Sequence, residues 1–124
     1  MATVELTREN FESVVAGHPM VIVDFWAPWC APCRAFSPTY DAASERHPDI
    51  VFAKVNTEAQ PELAAAFDIR SIPTLMVFRE QVILYAEPGS LPAAALDDVI
   101  ARSKAIDMAE VHREIAAQQT PDQT

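Results

Sequence analysis

The sequence predicts an α/β domain with a central mixed sheet, helices on both of its faces and one extra helix at the C-terminal end. Three observations predict it. Met20–Trp26 and Ile50–Val55 are nearly continuous apolar runs, the pattern of strands buried on both faces. A segment of helix length, Cys30–His47, lies between them, so the two strands should be parallel with a right-handed crossover. Thr74–Phe78 and Val82–Tyr85 follow each other closely enough for an antiparallel hairpin.

The elements can be justified in order. Thr7, ahead of Arg8, Glu9 and Asn10, has the form of a helix start, with Phe11, Val14 and Val15 turned inward. Gly17 and Pro19 close that helix before the first apolar strand. Pro38 falls inside the Cys30–His47 helix and should kink it, because proline lacks an N–H and clashes one turn back. Pro61 opens a short helix through Phe67, since proline suits a first turn. Ser90 is placed to cap a helix carrying Leu91, Ala95, Leu96, Val99 and Ile100 on one side. Beyond Lys104, Asp107 and Glu110 make a capping box ahead of Met108, Val111 and Ile115. We expect one domain over residues 1–105, a helical extension over 106–118 and a frayed tail over 119–124.

Composition narrows the classes of function. Half of the 124 residues are apolar, enough for a core without metals or many cross-links. Eighteen acidic against nine basic residues give a formal charge of -9, a field that repels nucleic acid and anionic membranes. Met1–Asn10 has acidic residues and no apolar run of signal-peptide length. Met20–Ala27 contains Asp24 and is too short to span a bilayer. These features point to a cytoplasmic protein, expected to be a monomer, with no partner of the nucleic-acid or membrane class.

The chemistry concentrates in Trp26-Ala27-Pro28-Trp29-Cys30-Ala31-Pro32-Cys33, where a buried strand ends and a helix begins. Residues i and i+3 share a helix face about 5–6 Å apart, within reach of a disulfide. Cys30 would stand at the helix start, where unpaired N–H groups and the macrodipole favour the thiolate, which is the attacking species. Cys33, one turn inside, should be less exposed and suited to resolving a mixed disulfide. Zinc needs about four ligands, and His18, His47 and His112 are scattered without ligand spacing, so no metal is expected. A purely structural disulfide is the other alternative.

Asp24 interrupts an apolar strand, where a carboxylate is costly and its pKa should rise. Lys54 on the neighbouring strand is its nearest candidate partner. Asp24 is either a proton acceptor for Cys33 or a hydrogen-bonded structural aspartate. In Ser71-Ile72-Pro73-Thr74, the residues alone favour a trans bond before Pro73, as most X-Pro bonds are trans.

Taken together, Val23-Asp24-Phe25-Trp26-Ala27, the Trp-Cys-x-Pro-Cys block, Lys54-Val55 and Ile69-Arg70-Ser71-Ile72-Pro73-Thr74-Leu75 resemble the thioredoxin family, from about residue 4 to residue 102. The resemblance implies a thioredoxin fold and a protein-disulfide reductase in which Cys30 attacks and Cys33 resolves. It implies that Pro73 is a cis-proline facing the pair and keeping metal away from it. It implies that Ile72 binds client backbone in extended form, and that Trp29, Ile72 and Gly89 line a groove around Cys30 with Ala31 and Pro32. Trp26 and Lys54 would have supporting roles. The protein would bind no cofactor, electrons coming from NADPH through a flavin-containing thioredoxin reductase. Its other partners would be proteins carrying disulfides.

Departures from the family pattern are Ala31 in place of the usual glycine, Gln81 where many relatives have a hairpin glycine, and Pro88 before Gly89. A positive φ at Gln81 would be strained, so a different turn is expected there. The rival from another class is a thioredoxin-fold co-chaperone that holds partners through the groove and the extra helix without redox turnover.

Overall fold

A computed structural model of the chain describes residues 3–119. The elements run β1 (Thr3–Glu5), α1 (Phe11–Gly17), β2 (Met20–Trp26), α2 (Ala31–Arg46), β3 (Val51–Asn56), α3 (Pro61–Ala66), β4 (Thr74–Arg79), β5 (Val82–Pro88), α4 (Ala93–Ala105) and α5 (Met108–Gln118). They form a five-stranded sheet in the order β1-β3-β2-β4-β5. β3 is parallel to both β1 and β2, while β4 is antiparallel to β2 and β5.

Alternation along the strands divides the core between the two sheet faces. Met20, Ile22, Phe52, Leu75 and Val77 face Phe36, Tyr40 and Ala43 of α2 with Leu96 and Ile100 of α4. Val21, Val23, Phe25, Val55 and Phe78 face the other way, with Val15 of α1 and Leu63 of α3. The expected layering therefore holds, and the expected C-terminal helix is α5. The division into a domain, an extension and a tail remains an expectation, and residues 120–124 of that tail lie outside the described residues. No helix among the described residues is long and apolar enough to cross a membrane.

Several local expectations are corrected. β1 has no apolar run to announce it; its three residues are strand because β3 offers a free edge at Thr3↔Phe52 through Glu5↔Lys54. Thr7 does not cap α1, for its own N–H donates to Asn10 Oδ1 at 2.7 Å and the helix begins after Asn10. Ser90 does not cap α4 either. Pro92 occupies that position, and its carbonyl accepts from the Leu96 N–H at 2.9 Å. β5 continues past Tyr85 to Pro88, paired with Thr74. α2 is continuous from Ala31 to Arg46 with Pro38 inside it, and the kink at Pro38 remains an expectation.

The hairpin turn keeps its left-handed form without glycine, with Glu80 at φ 50° and Gln81 at φ 68°. Such a turn matches the right-handed twist of the strands, and the sheet imposes it despite a cost of roughly 1–2 kcal/mol per residue. At this same end of β4, Arg79 Nη1 donates to the carbonyls of Ser103, Lys104 and Ile106 at 3.0–3.1 Å. The guanidinium thus satisfies carbonyls that the end of α4 leaves open. Asp107 Oδ1 accepts from the Glu110 N–H at 3.3 Å, giving one half of the expected capping box.

Tyr40 ties α2 to the sheet from inside the core. Its fully buried hydroxyl lies 2.9 Å from the Ile22 carbonyl and 2.7 Å from that of Ala53, sharing one proton between them. Burial, with the nearby Asp24 carboxylate, holds this phenol well above its ordinary pKa. Tyr40→Phe is expected to lower the unfolding free energy by about 1 kcal/mol, measured in urea.

Candidate active site

β2 delivers the chain to the C-terminal edge of the parallel strands, and the turn Ala27–Cys30 reverses it into α2. Cys30 is the N-cap of that helix, with extended backbone at φ -87° and ψ 110°. Pro32 stands in the first turn, where its missing N–H removes no helical bond. Cys30 and Cys33 are joined in a disulfide across a Cα–Cα distance of 5.2 Å. The Cys33 N–H points at Cys30 Sγ, 3.2 Å away. A helix start has free N–H groups, and here one of them is aimed at the sulfur that would carry negative charge on reduction. The cap is therefore a sulfur in place of the oxygen that usually fills it.

The pair is more enclosed than expected. Cys30 is 4% exposed and Cys33 2%, covered by Ala27, Trp26 and Ile72. Both sulfurs share this cover, so the expected difference in exposure between Cys33 and Cys30 is slight. Trp29 beside it is 65% exposed, and Ala31 and Pro32 are exposed as well.

A second loop completes the site. Cys30 Sγ lies 3.8 Å from the Ile72 carbonyl oxygen. The Ile72–Pro73 peptide is cis, which overturns what the residues alone favour and agrees with the family resemblance. The Gly89 N–H donates to the Pro73 carbonyl at 2.7 Å. Gly89 adopts φ 102°, a backbone state that side chains disfavour, so a glycine is required where the chain leaves β5. Ile72, Pro73 and Gly89 are thus brought to the disulfide, or to one another, from distant points in the sequence.

Asp24 sits in the middle of β2, 0% exposed, with neither carboxylate oxygen hydrogen-bonded among the described residues. Burial drives its pKa up to about 7, Lys54 draws it down, and Asp41 pushes it further up. Lys54 is opposite Asp24 on β3, but its Nζ donates to Ser37 Oγ at 3.2 Å and lies 5.1 Å from the Trp26 ring centre. Lys54 is therefore an electrostatic partner of Asp24. The hydrogen bond goes to α2 instead. Helical spacing sets Cys33, Ser37, Tyr40 and Asp41 along one stripe of α2, the stripe that faces Asp24 and Lys54.

Ser37, Tyr40 and Asp41 were missed by reading the sequence, although steps of four and seven or eight from Cys33 would have singled them out. The Cys33 N–H carries no sequence signal beyond the helix start itself.

Residues 2–102 match the family model described as Thioredoxin. The chain is 58% identical over 118 residues to a protein named "Putative thioredoxin 2" from Streptomyces coelicolor, covering 95% of this chain and 88% of that one. It is 41% identical over 105 residues to a "Thioredoxin" from Alicyclobacillus acidocaldarius, covering 80% and 99%. Among solved structures, Plasmodium falciparum thioredoxin superposes with a TM-score of 0.75 at 30% identity, covering 81% of this chain and 98% of that one.

Proposed function

The chain belongs to the thioredoxin family and is a thioredoxin-type protein-disulfide reductase acting on disulfide-containing clients, and from that premise we propose how its residues divide the work. Reduced Cys30, as thiolate, attacks one sulfur of a client disulfide, forming a mixed disulfide and expelling the other client sulfur as a thiolate. The Cys33 thiol gives its proton to the Asp24 carboxylate. Its thiolate then attacks Cys30 Sγ, closing the Cys30–Cys33 disulfide and releasing the second client thiolate. Two electrons pass from the pair to the client, and both client sulfurs leave reduced.

The observation that carries this reading is the Cys33 N–H aimed at Cys30 Sγ across a bonded pair at a helix N-cap. It supports a stabilised anion at the first sulfur and a second sulfur already within bonding reach. The exposed ring of Trp29, with Ala31, Pro32, Ile72 and Gly89, would form the rim on which client chain lies extended, pairing with backbone at Ile72. Trp26 and Lys54 would support the pair from below. A flavin-containing thioredoxin reductase would return the pair to the dithiol with electrons from NADPH, in the cytoplasm, this chain needing no cofactor of its own.

Counting thiols tests the reading. Reduced protein mixed with a disulfide-bonded protein substrate should lose two thiols for each substrate disulfide opened. Binding that leaves both of this protein's own thiols intact would overturn it in favour of a holding module.

A further inference from the structure

The layer beneath α2 holds more negative charge than a single proton acceptor requires. Glu5, Lys54 and Asp24 are direct neighbours across β1, β3 and β2, at Glu5↔Lys54 and Asp24↔Lys54. Residues in register share a sheet face, so all three project on the α2 side. Asp41 stands one helical turn beyond Ser37, the residue that accepts from Lys54 Nζ. Its Oδ1 is buried with no hydrogen-bond partner among the described residues. Lys54 thus has a carboxylate in register on either side, Asp24 on the central strand and the exposed Glu5 on the edge strand, while Asp41 belongs to the helix that covers them.

We propose that Glu5 and Asp41 are positioning residues for disulfide exchange: Glu5 by dividing the charge of Lys54 with Asp24, and Asp41 as a like charge on the covering helix, they set the pH at which Asp24 releases its proton. Lys54 acts on Glu5 as well as on Asp24, and burial leaves Glu5 above its ordinary pKa against that pull. Asp41 acts as a like charge on both Asp24 and Tyr40. The remaining groups around Asp24 do not change this balance. Tyr40 is committed to two backbone carbonyls, Cys33 is bonded to Cys30, and β4 presents Leu75. Glu87 follows on β5 in the same row, one strand beyond Leu75. A base near neutrality is most useful when its proton affinity matches the working pH, and the shared cation keeps Asp24 from being paired into a permanently ionised state.

The inference rests on Asp24 as the acceptor, but its test does not need turnover. The Asp24 carboxyl carbon would be titrated by NMR in the oxidised protein, where the cysteines do not ionise, with Asp24→Asn assigning the resonance. Glu5→Gln and Asp41→Asn should each lower the Asp24 midpoint by about 0.3–0.5 pH unit, as loss of a nearby like charge in a partly screened site would. Asp41→Glu should restore it. In a Lys54→Met background the Glu5→Gln shift should fall to less than half. An unmoved or raised midpoint in either variant overturns the proposal, as does a Glu5→Gln shift of full size without Lys54. If instead the proton-acceptor role fails, the rate profile loses its Asp24 limb while these titration shifts persist.

Discussion

Cys30→Ser should bring disulfide reduction down to the uncatalysed background, while Cys33→Ser should halt at the mixed disulfide. The difference follows from the order of attack. Without the N-cap sulfur there is no nucleophile at the helix start, and Cys33, one turn inside α2, is not at the cap where a free N–H meets the sulfur. Without Cys33 the first step still runs, but nothing lies within bonding reach of Cys30 Sγ to release the client. Mass spectrometry of the Cys33→Ser protein should show a covalent adduct equal to protein plus client, removed by added dithiol. Because the two sulfurs work as a unit, the double variant should be no slower than Cys30→Ser alone. Sustained turnover by Cys30→Ser would defeat the assignment.

Asp24→Asn should make the protein more stable and a poorer catalyst, and both effects should depend on pH. The folded carboxyl has a pKa of about 7 against an ordinary 3.8. Between those values the folded protein holds a proton that the unfolded chain has lost, so stability falls as pH rises through that window and levels off above it. Roughly three pKa units correspond to about 4 kcal/mol in full, as an order of magnitude. Relative to the wild type, the Asn variant should therefore gain about 2–3 kcal/mol between pH 5 and pH 9, read from urea unfolding. A constant difference across pH would contradict the buried, unpaired carboxylate. Release of the mixed disulfide should slow by about a hundredfold above pH 7, the low side of what a positioned base contributes. The wild-type rate should climb through pH 7, and the variant should lack that rise.

The cysteine pair, the strand before it and the helix after it were legible because each has a local cause. Met20–Trp26 announces a buried strand by its continuous apolar run, and a Cys-x-x-Cys at its end falls at a helix start wherever that helix forms. β1 was not legible, since three residues with no apolar pattern become strand only when β3 is beside them. The helix caps were misplaced for a related reason. Thr7 and Ser90 are good capping types, yet Asn10 and Pro92 lie where tertiary packing begins α1 and α4. The hairpin at Glu80-Gln81 shows the same override, with strand twist imposing positive φ on residues that do not favour it.

By itself the sequence determined which atoms can react: two sulfurs one turn apart, a carboxyl in an apolar strand, and a proline loop whose company with them the family resemblance implied. Tertiary structure alone decided their working state. It sealed Asp24 from water with no hydrogen-bond partner among the described residues, sent Lys54 to Ser37, carried Ile72 to the cysteines and set Glu5 beside Lys54 in register. Proton affinity is set by desolvation and by charges across strands and helices, and these depend on distances between residues that sequence order does not specify.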